Sequence, residues 1–284
     1  MDEITAVLRA RELVAAVNPT AVPFVVEAYA SKIGATIRVE TDLGQDEPGW
    51  SFEHGGKHYI CVNGKDQEER RRFTVCHEIG HMVLGLASDH KTLPWWSYAK
   101  KSADEILCDV FAAELLLPHR LFKPAAEKEE ICFRTVGNLA TRFVASLTAT
   151  GSRFATVISS PCAFVLSEQG KVRYTSRSTV LREANAWVLP RAGLPRGSVS
   201  ERVRSGEICE GPEEIDADLW FSDWERGGML LEEARYLNRW DQTLTLIWFE
   251  DEEVPPPVRG EEVEEWGVKE LDGILPWPGK KRRK

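Results

Sequence analysis

Residues 66–85, DQEERRRFTVCHEIGHMVLG, place two histidines and a glutamate on a segment that is otherwise strongly apolar. Asp66-Gln-Glu-Glu69 has the pattern of a capping box, so a helix is predicted from there to about Leu84, with Gly85 ending it. Phe73, Val75, Ile79, Met82, Val83 and Leu84 make this a helix that other elements must cover. Its polar trio, His77, Glu78 and His81, therefore lies in a buried setting. A buried carboxylate without a partner is costly. Any fold of this chain has to wrap the helix and also give those three side chains something to do.

The surrounding pattern is α+β. Residues 4–17 and 21–33 read as two helices, the second with Val22, Val25, Val26, Tyr29 and Ile33 at helical spacing and Gly34 as its stop. ATIRVE reads as a strand. GWSFEHGGKHYICVNG reads as a hairpin with arms at roughly 50–54 and 57–62 and Gly55-Gly56 in the turn. After the histidine helix comes a polar and aromatic loop, then a helix opened by Ser102-Ala-Asp-Glu105 and closed by Pro118. Residues 1–125 thus form one domain, and 126–160 a helical connector with some resemblance to a helix-turn-helix, although Gly151 and the threonines weaken that pattern. CAFVLSEQGKVRYTS, MLLEEARYL and TLTLIWFED supply strands for a mixed α/β domain over 161–254, and 255–284 is a charged tail.

Bulk properties narrow the function classes. A net charge of −9 argues against a surface built mainly to hold nucleic acid. No apolar run approaches the length of a membrane span. The acidic start, MDEITAVLRARELVAAV, has neither the basic region nor the continuous apolar stretch of a signal peptide. Six cysteines without a CxxC pair fit reduced thiols, so a cytoplasmic location is expected.

Residues four apart on a helix project from the same side, about 40° apart in azimuth. His77 and His81 therefore direct two imidazoles at one point, a spacing that suits zinc. Glu78, turned about 100° away, is poorly placed to share that ion but can reach a water on it. This is the HExxH arrangement, two metal ligands and a general base for attack on a carbonyl; the plain alternative is two polar residues packed against a core. A catalytic zinc takes a third protein ligand and keeps one position open. No third histidine follows closely. On the next helix Glu105 and Asp109 share a face, whereas Glu114 lies about 180° round from Glu105. Glu105 is the better third ligand, with Asp109 hydrogen-bonding a ligand to fix its orientation. Glu105 could instead serve only the capping box with Ser102, and Asp109 could simply be solvated.

FTVCHEIGHMVLG followed by EILCDVFAAELLLP resembles the ImmA/IrrE family of zinc metallopeptidases. The resemblance covers roughly residues 20–120, and Asn63 of YICVN stands where the family commonly has an asparagine. It implies a zincin-like fold, His77, His81 and Glu105 as metal ligands, Glu78 as base and Asp109 as the second acidic position. Cys108 stands where the family usually has alanine; it is either a thiol exposed to oxidation near the site or a small buried hydrophobe. A looser likeness of NLATRFVASLTATGSRF and CAFVLSEQGKV to the longer family members implies a GAF-like C-terminal domain with a small-molecule ligand. The resemblance also implies the substrate: a helix-turn-helix repressor of the XRE type, cleaved to relieve repression in a stress or mobile-element response.

Other features admit two readings each. Tyr98 and His90 are weak candidates for an extra oxyanion donor, and Trp95 and Trp96 for a substrate groove; each is equally an ordinary loop or packing residue. His54 and His58 flank the hairpin turn; they could bind a metal, but opposed exposed strand ends explain them more simply. Trp187, Trp220 and Trp224 suit a ligand pocket or a core. The same donor set would accept manganese or iron in place of zinc. The competing functional classes are a non-catalytic, metal-containing regulator that senses a ligand through its C-terminal domain, and direct DNA binding through 133–158, which the acidic balance disfavours.

Overall fold

The first helix, α1 (Glu3–Val17), starts where the Asp2 carboxylate accepts the Thr5 N–H at 2.9 Å and stops at Asn18, which takes up a left-handed conformation (φ 54°). It belongs to a computed structural model that describes residues 1–44, 47–87 and 102–250. The chain divides into two units, Met1–Ile158 and a second from Ser159 onward.

In the first unit α2 (Glu27–Lys32) is shorter than its sequence pattern predicts. Pro23 disfavours helical backbone at Val22; Val25 also lies before the helix and is exposed, and Val26 is its N-cap. β1 (Ala35–Glu40), β2 (Gly49–His54) and β3 (Lys57–Asn63) form a sheet in the order β1-β3-β2. β3 runs parallel to β1 and antiparallel to β2, with Ser51 opposite Ile60 and Glu53 opposite His58. The hairpin turn places Gly55 and Gly56 at positive φ, as a two-residue turn requires.

The face of β2 and β3 that carries Gly49, Ser51, Ile60 and Val62 meets α3 (Glu68–Leu84). A Cβ on Gly49 would collide with the Cys61 carbonyl oxygen and lie 2.8 Å from Thr74 Cγ2, so glycine is what lets the strand lie this close to the helix. The capping box expected at Asp66 is absent. The N-cap is Gln67, without a side-chain bond, and Asp66 pairs with Arg70 at 3.1 Å instead. Gly85, at φ 66°, ends the helix as its sequence predicts. Asn63, almost fully buried, donates to the carbonyls of Gly44 (2.8 Å) and Glu47 (3.0 Å) and accepts from the Lys65 N–H (3.0 Å). It therefore pins the β1–β2 connection and takes no part in the histidine cluster.

α4 (Ala103–Leu116) packs against both α1 and α3 and is capped by Ser102, whose hydroxyl accepts the Glu105 N–H at 3.3 Å. Pro118 is followed at once by a helix the sequence pattern does not reveal, α5 (His119–Ala126), which carries Pro124 inside it. α6 (Phe133–Phe143) and α7 (Leu147–Val157) follow, with Val144 in a left-handed conformation between them and Ser146 capping α7. Both belong to the first unit. Phe143 packs edge-on to Phe122 of α5, and Arg153 of α7 reaches Glu114 of α4 at 2.6 Å.

The second unit is an antiparallel sheet of five strands: β4 (Cys162–Glu168), β5 (Lys171–Arg177), β6 (Glu213–Asp216), β7 (Met229–Leu237) and β8 (Gln242–Trp248). Their order is β5-β4-β8-β7-β6. Two short helices, α8 (Thr179–Glu183) and α9 (Val199–Arg204), lie in the β5–β6 connection. Ala163, Val165, Ile247, Leu181, Phe221 and Phe249 are among its core residues. Trp220 and Trp224 are core residues too, whereas Trp187 is partly exposed beneath the Arg177 guanidinium, 3.9 Å from its ring centroid. Buried Glu232 accepts the N–H groups of Val199 and Ser200 at 3.1 and 2.8 Å and so anchors the start of α9 to the sheet. No helix among the described residues is long and apolar enough to cross a membrane. The six cysteines are all free.

Candidate metal centre

His77 and His81 lie on successive turns of α3 with their rings 4.8 Å apart, and both are buried. α4 crosses against that face and delivers Glu105 from its first turn. The Nε2 atoms of His77 and His81 are 3.0 Å apart, and the Glu105 carboxylate lies 3.0 Å from the first and 3.3 Å from the second. One ligand atom from each of the three residues falls within 4.8 Å of the others. The structure thus brings the Glu105 carboxylate to the paired imidazoles, while Ser102 caps the same helix by accepting the Glu105 backbone N–H. Glu114 is turned to the opposite side of α4, as its spacing predicts.

The outer nitrogens of both rings are committed. His77 Nδ1 faces Asp109 Oδ1 at 2.9 Å, and His81 Nδ1 faces the Leu86 carbonyl at 3.3 Å. Both partners are acceptors, so each Nδ1 carries its hydrogen and each Nε2 of a neutral ring turns a lone pair inward. Two lone pairs 3.0 Å apart, with a carboxylate beside them, repel unless a positive charge sits among them. Ligand bonds of about 2.0–2.1 Å in a tetrahedral site imply ligand separations of about 3.3–3.4 Å, close to those present. The three donors fit a divalent cation. Without one, the charge has to come from a proton. Burial works against protonating His77, yet its bonds to Asp109 and Glu105 and the nearby carboxylate charges raise its pKa to about 9. Burial of Glu105 is likewise outweighed by both histidines, which hold its carboxyl far below the usual range.

Glu78, almost fully buried, sits beside this cluster, and the Ser51 hydroxyl donates to its Oε2 at 2.7 Å. Ser51 is a residue that the sequence analysis does not single out. The signal was available in the alternation of β2, where Gly49, Ser51 and Glu53 share the face that meets α3. Gly80 shows why the helices approach so closely. A Cβ there would lie 3.3 Å from Cys108 Cα, so the space it leaves is filled by the backbone of α4. Cys108 itself is fully buried, and burial together with the charges of Glu105, Asp109 and Glu78 pushes its thiol well above the ordinary range. It is a packed small side chain. Tyr98, His90, Trp95 and Trp96 lie outside the described residues. His54 is exposed at its strand end.

Residues 30–154 match the family model described as the IrrE N-terminal-like domain. The chain is 32% identical over 117 residues to the radiation response metalloprotease IrrE of Deinococcus deserti, a match covering 40% of each chain. It is 29% identical over 122 residues to the protein of the same name from Deinococcus radiodurans, covering 42% of this chain and 36% of that one. The chain thus spans well under half the length of the curated relatives it matches. A Mycobacterium tuberculosis transcriptional regulator of known structure shares the fold over 86% of this chain and 74% of its own, with a TM-score of 0.56 and 14% identity. Both the domain match and the arrangement of α3 and α4 lead to one assignment: residues 30–154 form an IrrE N-terminal-like domain, through which the chain is similar to the IrrE metalloproteases.

Proposed function

We propose that the chain is a zinc-dependent endopeptidase in which His77, His81 and Glu105 hold the metal, Asp109 orients His77, and Glu78 is the general base. The observation that carries this reading is the meeting of three donors from two helices, two buried imidazoles and a partly buried carboxylate, with both Nδ1 atoms already engaged, directly beside a buried glutamate. A divalent cation held there supplies Lewis acidity, which acidifies a water and offsets negative charge on a carbonyl oxygen. Glu78 accepts the proton of the attacking water on its carboxylate and returns it to the amine of the departing fragment. Ser51 fixes the carboxylate through its bond to Oε2, so the base meets the water in one orientation. Asp109 keeps the hydrogen of His77 on Nδ1 and its lone pair on Nε2.

The family resemblance supports an XRE-type helix-turn-helix repressor as the substrate, cleaved in a stress or mobile-element response. The net charge of −9 and the few cationic side chains on α6 and α7 favour this reading over DNA binding by the chain itself. Arg153 is committed to Glu114 and the Leu117 carbonyl, Arg142 lies over Phe143, and Arg134 pairs with Glu130. We read the five-stranded unit as GAF-like and sensory. A cavity of about 190 Å3 lined by Val172, Val188, Trp220 and Phe221 lies in this unit and, at that size, would take only part of a ligand.

Incubation of the zinc-loaded protein with a candidate repressor tests the proposal. A discrete fragment should appear with the native chain, and Glu78→Gln should slow its formation by about 10²–10⁴-fold, the usual contribution of a general base, with metal content unchanged. Full metal occupancy with no cut in any repressor offered would point to the non-catalytic regulator instead.

A further inference from the structure

Beside the histidine cluster lies a second cavity of about 200 Å3, lined by Ser51, Phe52, Glu53, His58, His81, Met82 and Leu86. It is smaller than the roughly 300–1,000 Å3 of sites that enclose whole ligands, and its volume suits a single side chain. One wall is functional already, since His81 belongs to the metal centre and Ser51 holds Glu78. The opposite wall comes from the end of the hairpin. Strand side chains alternate, so Glu53 shares the face of Ser51 two residues further along β2. In the antiparallel register Glu53 is paired with His58, which puts that ring on the same face. Glu53 is the one carboxylate among the described residues of this lining. Met82 and Leu86 from the end of α3 make the remainder apolar. β2 is also the edge strand of its sheet, so its outer backbone groups are placed to pair with an extended peptide. A peptide lying there would send alternate side chains towards the cavity.

We infer that this cavity is a specificity pocket for a long cationic side chain, lysine or arginine, of a bound peptide, with Glu53 as the residue that selects it. The stem of such a side chain lies against Met82 and Leu86, and its charged head meets Glu53 near the pocket mouth. Lysine and arginine are favoured over neutral residues of equal length because only they answer the carboxylate. An acidic side chain is rejected by like charge. The inference rests on the peptidase reading given above, so its test uses binding, which can fail or succeed independently of cleavage.

The experiment uses the full chain carrying Glu78→Gln, loaded with zinc, and three degenerate decapeptide pools. All share one fixed central position, occupied by lysine, norleucine or glutamate, and binding is read by fluorescence anisotropy. The lysine pool should bind about fivefold more tightly than the norleucine pool, the upper range for a solvent-exposed ion pair, with the glutamate pool weakest. Glu53→Gln should erase the lysine–norleucine difference, and Glu53→Lys should make the glutamate pool the tightest. Equal binding of all three pools, no binding of any, or an order that Glu53→Lys leaves unchanged each overturns the pocket assignment. Glu78-dependent cleavage of the same pools by the native chain, without any preference at the fixed position, would overturn it while leaving the peptidase reading intact.

Discussion

Glu114 is a buried acid of the first unit that the histidine cluster does not use, and its environment allows its contribution to be worked out. Its carboxylate is 2% exposed and takes three partners: Arg153 at 2.6 Å, Arg11 at 3.4 Å and the His119 N–H at 3.0 Å. The Arg11 side chain is about half exposed, so that pair adds at most about 1 kcal/mol. The Arg153 side chain is 10% exposed, and Glu114→Ala would leave its charge with only the Leu117 carbonyl as a described partner. Removing one member of a buried pair costs about 3–5 kcal/mol, a large part of the roughly 5–15 kcal/mol that holds a domain together. For a unit of this size that is a fall of roughly 6–20 °C in Tm. Hydrogen exchange read by mass spectrometry resolves the effect by element. Protection should drop in α1, α4 and α7 and stay unchanged in β4–β8. The double variant Glu114→Leu/Arg153→Met, which leaves no buried charge, should recover to within about 1 kcal/mol of the native chain. A single variant costing less than about 1 kcal/mol, or a double variant costing the sum of its singles, would refute the claim that this pair ties α7 to α4.

Further outcomes follow from the site and the second unit. Asp109→Ala should weaken zinc affinity about 10–100-fold, the usual effect of losing the partner of a ligating histidine, as measured by competition with a chromophoric chelator. Ser51→Ala removes a hydrogen bond to a carboxylate worth about 1.5–3 kcal/mol; kcat should fall with metal content unchanged, and an unaltered kcat would exclude Ser51 as the residue that positions Glu78. Gly49→Ala should destabilise the first unit by about 1–3 kcal/mol through overpacking against Cys61 and Thr74, seen as a lower midpoint in urea. Burial raises the pKa of Glu232 despite its bonds to Ser200, Trp220 and Val199. A carboxyl raised in the folded state binds its proton more tightly there than when unfolded. Its contribution to stability is therefore fullest below its unfolded pKa and declines as pH rises through the folded value. An NMR titration midpoint at or below 4.5 would contradict that sign.

The histidine helix, the strand over 35–40, the hairpin and the Ser102 cap were legible because each rests on local chemistry: helical spacing, a two-glycine turn, a hydroxyl three residues before an N–H. The placement of Glu105 beside the histidines was legible for a related reason, since i, i+4 geometry on two helices leaves few ways to aim three donors inward. What escaped detection depends on tertiary contacts. Pro124 masks α5, which is held by Phe122 packing on Phe143. α8, α9 and β6 are too short to show a period, and α9 is fixed by Glu232, more than 30 residues away. Asp66 looked like a cap but found Arg70. Ser51 is an unremarkable strand serine until α3 lies against it.

The near contact of Gly80 with the backbone of Cys108 sets how the centre tolerates change. Alanine for glycine inside a helix ordinarily adds about 1 kcal/mol of stability. Here the added methyl would meet main chain, which cannot swing aside, and α4 would have to retreat by a few tenths of an ångström. Coordination and catalysis demand placement within about 0.5 Å, so that retreat would strain the reach of Glu105 to the imidazoles. The chain therefore forgoes an easy gain in helical stability at residue 80 to keep the gauge between its two donor-bearing helices.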